Sequence, residues 1–144
     1  MKKVYAVALI GLLWLQVSCK IEPEAINYGQ DACHFCKMTI VDQQHAAQYV
    51  TKKGKQYKFD AIECMVNQLS ETDRSKIGIM LISNYGQPAN MTDASSATYL
   101  ISQEIKSPMG AFLSGFSSKE AALKTMEENG GDIYSWTELL NKFK

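Results

Sequence analysis

The sequence predicts an α+β fold made of two ββα units and closed by a C-terminal helix. Three observations predict it: a hairpin signal that leads straight into a helix start, a second copy of that order from Thr98 onward, and a final amphipathic stretch.

In chain order, residues 1–18 read as an export signal, with Lys2 and Lys3 ahead of an almost wholly apolar run from Val4 to Leu15 and small Ser18 before Cys19. The run is shorter than the roughly 20 apolar residues a spanning helix needs, and Gln16, Ser18, Lys20, Glu22 and Glu24 close it. Leu15-Gln16-Val17-Ser18-Cys19 is similar to a lipoprotein signal box, which makes Cys19 the lipidation candidate and the protein a membrane-anchored lipoprotein. Lys20 follows the cysteine where an aspartate would signal inner-membrane retention, so the expected anchor is the outer membrane, facing the periplasm. Residues 19–30 are polar and turn-prone and read as a lipidated tether, with the folded domain spanning 31–144.

Gln48-Tyr49-Val50-Thr51 and Gln56-Tyr57-Lys58-Phe59 are β-rich runs around Lys52-Lys53-Gly54-Lys55, a hairpin with glycine in its turn. Asp60 and Glu63 form a capping-box signal for a helix whose apolar face is Ile62, Met65, Val66 and Leu69. Lys76 to Tyr85 is nearly continuous in apolar residues and reads as a buried strand, and Gln87 to Ser95 reads as a polar loop. The plan then repeats. Thr98 to Ile101 and Ala111-Phe112-Leu113 are strands, Ser117 with Glu120 is a second capping box, and Asn129-Gly130-Gly131 ends the helix. The halves run from about 31 to 86 and from about 97 to 144. Trp136, Leu139, Leu140 and Phe143 recur at helical spacing in Ser135 to Phe143, the terminal helix.

Loss of residues 1–18 leaves about 126 residues, thirteen of them basic and fifteen acidic, enough for one core and without the basic stripe of a nucleic-acid binder. With Cys19 acylated, Cys33, Cys36 and Cys64 remain, an odd set that cannot all pair as disulfides in an exported protein. Metal binding is one reason to keep a free thiol there.

Cys33-His34-Phe35-Cys36-Lys37-Met38 supplies two thiols and a thioether within six residues. Two thiolates separated by two residues can turn back onto one ion, and Cys36 and Met38 share a face if the chain leaves the turn as a strand. Thiolate plus thioether favours Cu(I) over harder cations. A Cys33–Cys36 disulfide, or a structural zinc knuckle with Met38 as ordinary core, fits the same spacing. Cys64, in the first helical turn, is either a thiolate favoured by the helix N-terminus or a small buried hydrophobe. His34 and His45 are candidate nitrogen ligands, and Met109 in Ser107-Pro108-Met109-Gly110 sits in a loop from which a thioether can swing.

Catalysis has little support: no Ser-His-Asp or paired-carboxylate constellation and no phosphate loop can be argued, so the chain reads as a non-enzyme. A Cys-x-x-Cys thiol-disulfide oxidoreductase is the enzymatic alternative, although that motif there opens a helix and here precedes Met38-Thr39-Ile40-Val41, which reads as strand. Lys37 stands where covalent haem attachment needs histidine.

The signal, Cys33-x-x-Cys36-x-Met38, Phe59-Asp60 with Cys64-Met65, and Ser107-Pro108-Met109-Gly110-Ala111-Phe112, with Trp136 and Glu138 downstream, together resemble the NosL family from about residue 31 to the C-terminus. That family comprises lipid-anchored, copper-binding accessory proteins of nitrous oxide reductase assembly in denitrification. The resemblance implies two ββαβ halves related to the fold of organomercurial lyase. It also implies Cu(I) delivery in the periplasm to the copper-sulfide centre of the reductase, through a membrane transporter complex. It carries over Cys33, Cys36 and Met38 as the copper motif and Met109 as the loop methionine; Cys64 has no required counterpart.

Overall fold

The computed structural model describes residues 21–144, so the signal segment and Cys19 lie outside the described residues. The elements are β1 (Ala47–Thr51), β2 (Gln56–Phe59), α1 (Ile62–Ser70), β3 (Ile77–Asn84), β4 (Gln87–Asp93), β5 (Thr98–Ile101), β6 (Leu113–Phe116), α2 (Lys119–Asn129), β7 (Asp132–Tyr134) and α3 (Trp136–Lys142), with a 3-10 turn at Arg74–Lys76. Two antiparallel sheets result, ordered β2-β1-β3-β4 and β6-β5-β7. In each, the first strand of the unit lies between the second strand and the strand that follows the helix. This is the repeat expected from the two phenylalanine-led helix starts, and the fold is α+β as predicted.

The hairpin forms in the expected register, Ala47 opposite Phe59 and Val50 opposite Gln56, and Gly54 takes φ 82° in its turn. Both helix caps sit one residue later than the sequence suggested. α1 starts after Ala61, which makes no side-chain cap, and α2 after Ser118, whose hydroxyl accepts from the Ala121 amide at 3.2 Å. Each helix thus begins three residues past its phenylalanine. The expected capping residues have other partners: Ser117 Oγ accepts from Asn84 Nδ2, and Glu63 accepts from Ser107 instead of closing a box with Asp60. A box that the sequence analysis missed caps α3, where the Ser135 hydroxyl and the Glu138 carboxylate satisfy each other's backbone amides.

Residues 87–93, expected as a loop, form β4 on the sheet edge, with Ile82 opposite Thr92 and Ser83 opposite Met91. An edge strand is held by its backbone ladder with one side open to water, so its side chains need not be apolar. The second strand of the second unit begins at Leu113, because Phe112 takes φ 58° and turns the chain first.

Residues 22–30 do not hang free. Gln56 Nε2 donates to the Glu22 carbonyl at 2.9 Å, the Glu24 amide donates to Gln56 Oε1 at 3.2 Å, and Lys58 Nζ donates to the Ala25 carbonyl at 2.7 Å. Ile26 and Tyr28 pack on the core. The segment covers β2, an edge strand, and polar composition serves that role as well as it serves a linker.

The sheets meet where the Tyr85 amide donates to the Gly115 carbonyl at 2.8 Å, and a Cβ at Gly115 would strike Ile82 Cδ1. Beyond α2 the chain turns through Gly130 (φ 69°) and Gly131 (φ 102°), and a Cβ at Gly131 would run into the Ile101 carbonyl beside it. Gly131→Ala combines a left-handed φ with a backbone clash and is expected to cost about 2 kcal/mol, lowering Tm by roughly 8 °C. Gly130→Ala, with open space around its Cβ, should lose about half of that. Thermal unfolding followed by circular dichroism compares the two; equal losses would remove the role of the Ile101 contact.

Candidate metal centre

The sulfur run folds back on itself before β1. The Cys33 amide donates to the Met38 carbonyl at 2.8 Å, the Lys37 amide donates to the Cys33 carbonyl at 3.0 Å, and Ala32 pairs with Thr39 as an isolated bridge. Lys37 takes φ 67° to close this turn. That left-handed residue breaks the alternation a strand would have imposed. Cys36 is half-buried while Met38 is 54% exposed, so the expected strand and its shared Cys36/Met38 face are replaced by a turn.

α1 delivers the third thiol. Cys64 is the third residue of the helix, and its sulfur joins those of Cys33 and Cys36 so that all three lie within 4.8 Å of one another. Cys33 and Cys64 are each 1% exposed, and all three are free thiols. The turn also differs from the helix start on which Cys-x-x-Cys oxidoreductases place their pair.

The three sulfurs are not equivalent. Cys33 is held down to about 4 by the Cys64 thiol, which donates to it, helped against burial by the backbone amides of Asp60 and Cys36, the latter at 3.5 Å. Donating to Cys33, together with burial, pushes Cys64 far up, and burial raises Cys36. The site thus lowers the pKa of Cys33 and raises that of Cys64, so of the two readings open for Cys64 the protonated, buried thiol fits better than the helix-start thiolate. The Cys64 amide already donates to the Ala61 carbonyl, which leaves less of the helix N-terminus to stabilise charge on its own side chain.

Two carboxyl groups lie beneath this cluster. Asp60, 2% exposed, has one oxygen without a hydrogen-bond partner, and its pKa is raised by burial and by the neighbouring Cys33 charge. Glu63, equally buried, accepts from the Ser107 hydroxyl and from the Ala111 amide at 3.4 Å. Ser107 also accepts from the Phe112 amide at 3.0 Å, and Gly110 turns at φ 74°. The loop that carries Met109, itself 42% exposed, is thus hung from the residue before Cys64. Local spacing gives Glu63 only a capping role, and the link to Ser107 is invisible to it because the two residues lie 44 positions apart.

The histidines are not brought to the thiols. His34 turns its ring edge-on to Tyr57, centroids 4.6 Å apart, and burial followed by Lys37 and Lys55 lowers its pKa. His45 has both nitrogens occupied, Nδ1 at 2.8 Å from Asp42 Oδ2 and Nε2 at 3.1 Å from Ser114 Oγ. A Ser-His-Asp constellation therefore exists where the sequence offered none. Ser114 is 0% and His45 2% exposed, so no substrate reaches the hydroxyl, and the trio acts as a link between the two sheets.

Comparison with known proteins agrees with this architecture. The NosL family model matches residues 25–143. A "Copper-binding lipoprotein NosL" from Stutzerimonas stutzeri is 26% identical over 132 residues, covering 86% of this chain and 69% of the relative. The crystal structure of the copper chaperone NosL from Shewanella denitrificans shares the fold with a TM-score of 0.70 at 21% identity, over 83% of this chain and 96% of that one. Together with the paired sheets and the Cys33-x-x-Cys36-x-Met38 turn, the match across almost the whole described chain means that this protein belongs to the NosL family.

Proposed function

We propose that the chain is a periplasmic Cu(I) metallochaperone that takes its cargo at Cys33, Cys36 and Cys64, with Met38 and Met109 as exposed thioethers for capture and hand-over. The observation that carries this reading is the convergence of three free thiols within 4.8 Å. Among the described residues the group consists of three soft sulfurs alone, a donor set that suits Cu(I) better than harder cations. Relatives named as a copper-binding lipoprotein and a copper chaperone support the same reading.

In this reading residues 1–18 are removed, Cys19 carries the lipid in the outer membrane, residues 19–30 join anchor to domain, and residues 31–144 form the copper-binding unit with halves at about 31–86 and 97–144. The cargo is destined for the copper-sulfide centre of nitrous oxide reductase, through its membrane transporter complex. The chemistry is transfer without catalysis: an incoming thiolate or thioether adds to the open side of the ion before Cys33 or Cys36 leaves. Met38 and Met109 are the most exposed sulfurs of the cluster and its neighbouring loop, and so the first to meet a partner.

The test is an anaerobic Cu(I) competition titration with a colorimetric chelator on the reduced chain from Lys20 onward. One-to-one binding is expected, weakened about tenfold, or 1.4 kcal/mol, by Met38→Leu or Met109→Leu. Preference for zinc, with unfolding once metal is removed, would replace the carrier by a structural zinc site; a Cys33–Cys36 disulfide of oxidising potential, indifferent to Met38, would replace it by a redox enzyme.

A further inference from the structure

The turn of the first hairpin is strongly basic. Residues 43–59 contain Lys52, Lys53, Lys55 and Lys58 and no acidic residue, in a protein whose acidic and basic side chains balance over the whole chain. Lys58 is occupied by Asp31 at 2.7 Å, while Lys52, Lys53 and Lys55 are exposed, with Lys55 Nζ over the Tyr57 ring at 4.8 Å. The fold adds a fourth from a distant segment: the Lys52 amide donates to the Lys76 carbonyl at 2.8 Å, and Lys52, Lys53, Lys55 and Lys76 rim one shallow depression with Thr51 and Ser75. Asp73 stands 3.5 Å from Lys76, both well exposed, where such a pair is weak.

Ile21 lies at this tip. The Ile21 side chain reaches the face of Gly78, its Cδ1 3.7 Å from where a Cβ would stand, and the Lys52 Cα is equally close to that point. From there residues 22–31 run beside β2, bonding first to Gln56 and then to Lys58, until the His34 amide donates to the Lys58 carbonyl beside the thiols. The lysines and the sulfurs thus occupy opposite ends of β2, a four-residue strand about 13 Å long. Cys19 precedes Ile21 by two residues.

We propose that Lys52, Lys53, Lys55 and Lys76 dock on the anionic phospholipid headgroups of the leaflet that holds the anchor, so that the domain rides in one orientation with its thiol turn facing away from the bilayer. The proposal rests on the reading of Cys19 as lipidated. Charge complementarity at the very end where the chain leads to the anchor argues for a lipid surface as the occupant. Each lysine at an anionic surface contributes about fivefold in affinity, and a docked strap at residues 22–30 keeps the tip against the membrane without a long linker.

The experiment has two arms, both on the mature chain from Cys19, which contains every described element. In the first, Cys19→Ser protein is sedimented with phosphatidylethanolamine vesicles containing phosphatidylglycerol, or with phosphatidylcholine vesicles. Binding should be confined to the anionic vesicles, should fall with salt, and should drop at least a hundredfold when Lys52, Lys53, Lys55 and Lys76 are all changed to Gln, but not when Lys119, Lys124 and Lys142 are. In the second, lipidated protein in the same vesicles is footprinted by reductive methylation. Protection of the four lysines by anionic lipid alone supports the proposal. Retention on both vesicle types with equal methylation would overturn the docking while leaving the anchor intact, as would absence of a lipid preference in the first arm, which would assign the tip to an acidic protein surface. A chain without acyl group whose Cys19→Ser form still binds anionic vesicles through the lysines would remove the anchor and keep the docking site.

Discussion

Cys33→Ser is expected to lower Cu(I) affinity at pH 7 by about a thousandfold, or 4.1 kcal/mol, the largest loss of any single substitution in the protein. Cys33 is the sulfur whose pKa the site lowers, by the thiol and amides that donate to it, and a serine hydroxyl is both harder and protonated. The change also takes the acceptor from Cys64, leaving a buried thiol without its partner. Cys36→Ser should lose less, because burial makes Cys36 release a proton to bind. Copper binding by all three sulfurs near pH 7 should therefore release about two protons, from Cys36 and Cys64, and affinity should rise with pH by about two log units per unit. Competition titrations between pH 6 and 8 measure that slope; a slope near three would mean that Cys33 starts protonated.

The same asymmetry acts on the reduced apoprotein. Cys33 lies below its unfolded value, so its contribution to stability is complete above the ordinary thiol pKa of 9.0 and drains away as pH falls toward about 4. Cys64 lies above its unfolded value, so its contribution is complete below 9.0 and is lost as pH rises further. Reduced wild type should therefore gain urea resistance from pH 5 to pH 8, and Cys33→Ser should flatten that rise.

His45→Ala should cost about 3–4 kcal/mol of folding stability with little effect on copper affinity. The ring is buried against Tyr85, centroids 5.6 Å apart, and its removal leaves a cavity, a half-buried Asp42 carboxylate and a fully buried Ser114 hydroxyl. Burial works against the Asp42 charge, and the His45 ring and the Gln44 amide outweigh it, so the loss of the ring exposes that cost. Ser114→Ala removes the hydroxyl along with its need for a partner and should cost near 1 kcal/mol. Denaturant unfolding beside a Cu(I) titration separates the effects. Parallel losses of stability and copper affinity in His45→Ala would return this residue to the metal centre.

These residues also mark where sequence reading stopped. The hairpin at 47–59, the helix ends at Gly130 and the start of α3 were legible because turn glycines and apolar spacing act over a few positions. β4 was not, since Gln87, Asn90 and Thr92 sit on an exposed edge where only the ladder to β3 defines the strand. The capping residues were off by one in both halves because Asp60 and Ser117 have distant competitors: burial for the first, Asn84 for the second. Within the candidate centre, Cys33 and Cys36 could be paired from their spacing, while Cys64 was balanced against an ordinary core cysteine until α1 carried it under the turn.

The two ββα units and the clustering of Cys33, Cys36 and Met38 could be read from the chain because periodicity, turn residues and short spacings are properties of near neighbours, and the resemblance to the NosL family was carried by whole motifs taken in order. Packing set which sulfur accepts from its neighbour, that His45 reaches Ser114, that Glu63 holds the Met109 loop, and that residues 22–30 lie against β2. Those outcomes depend on burial and on partners about 30 to 70 positions apart, where a hydrogen bond forms only after the two sheets have packed.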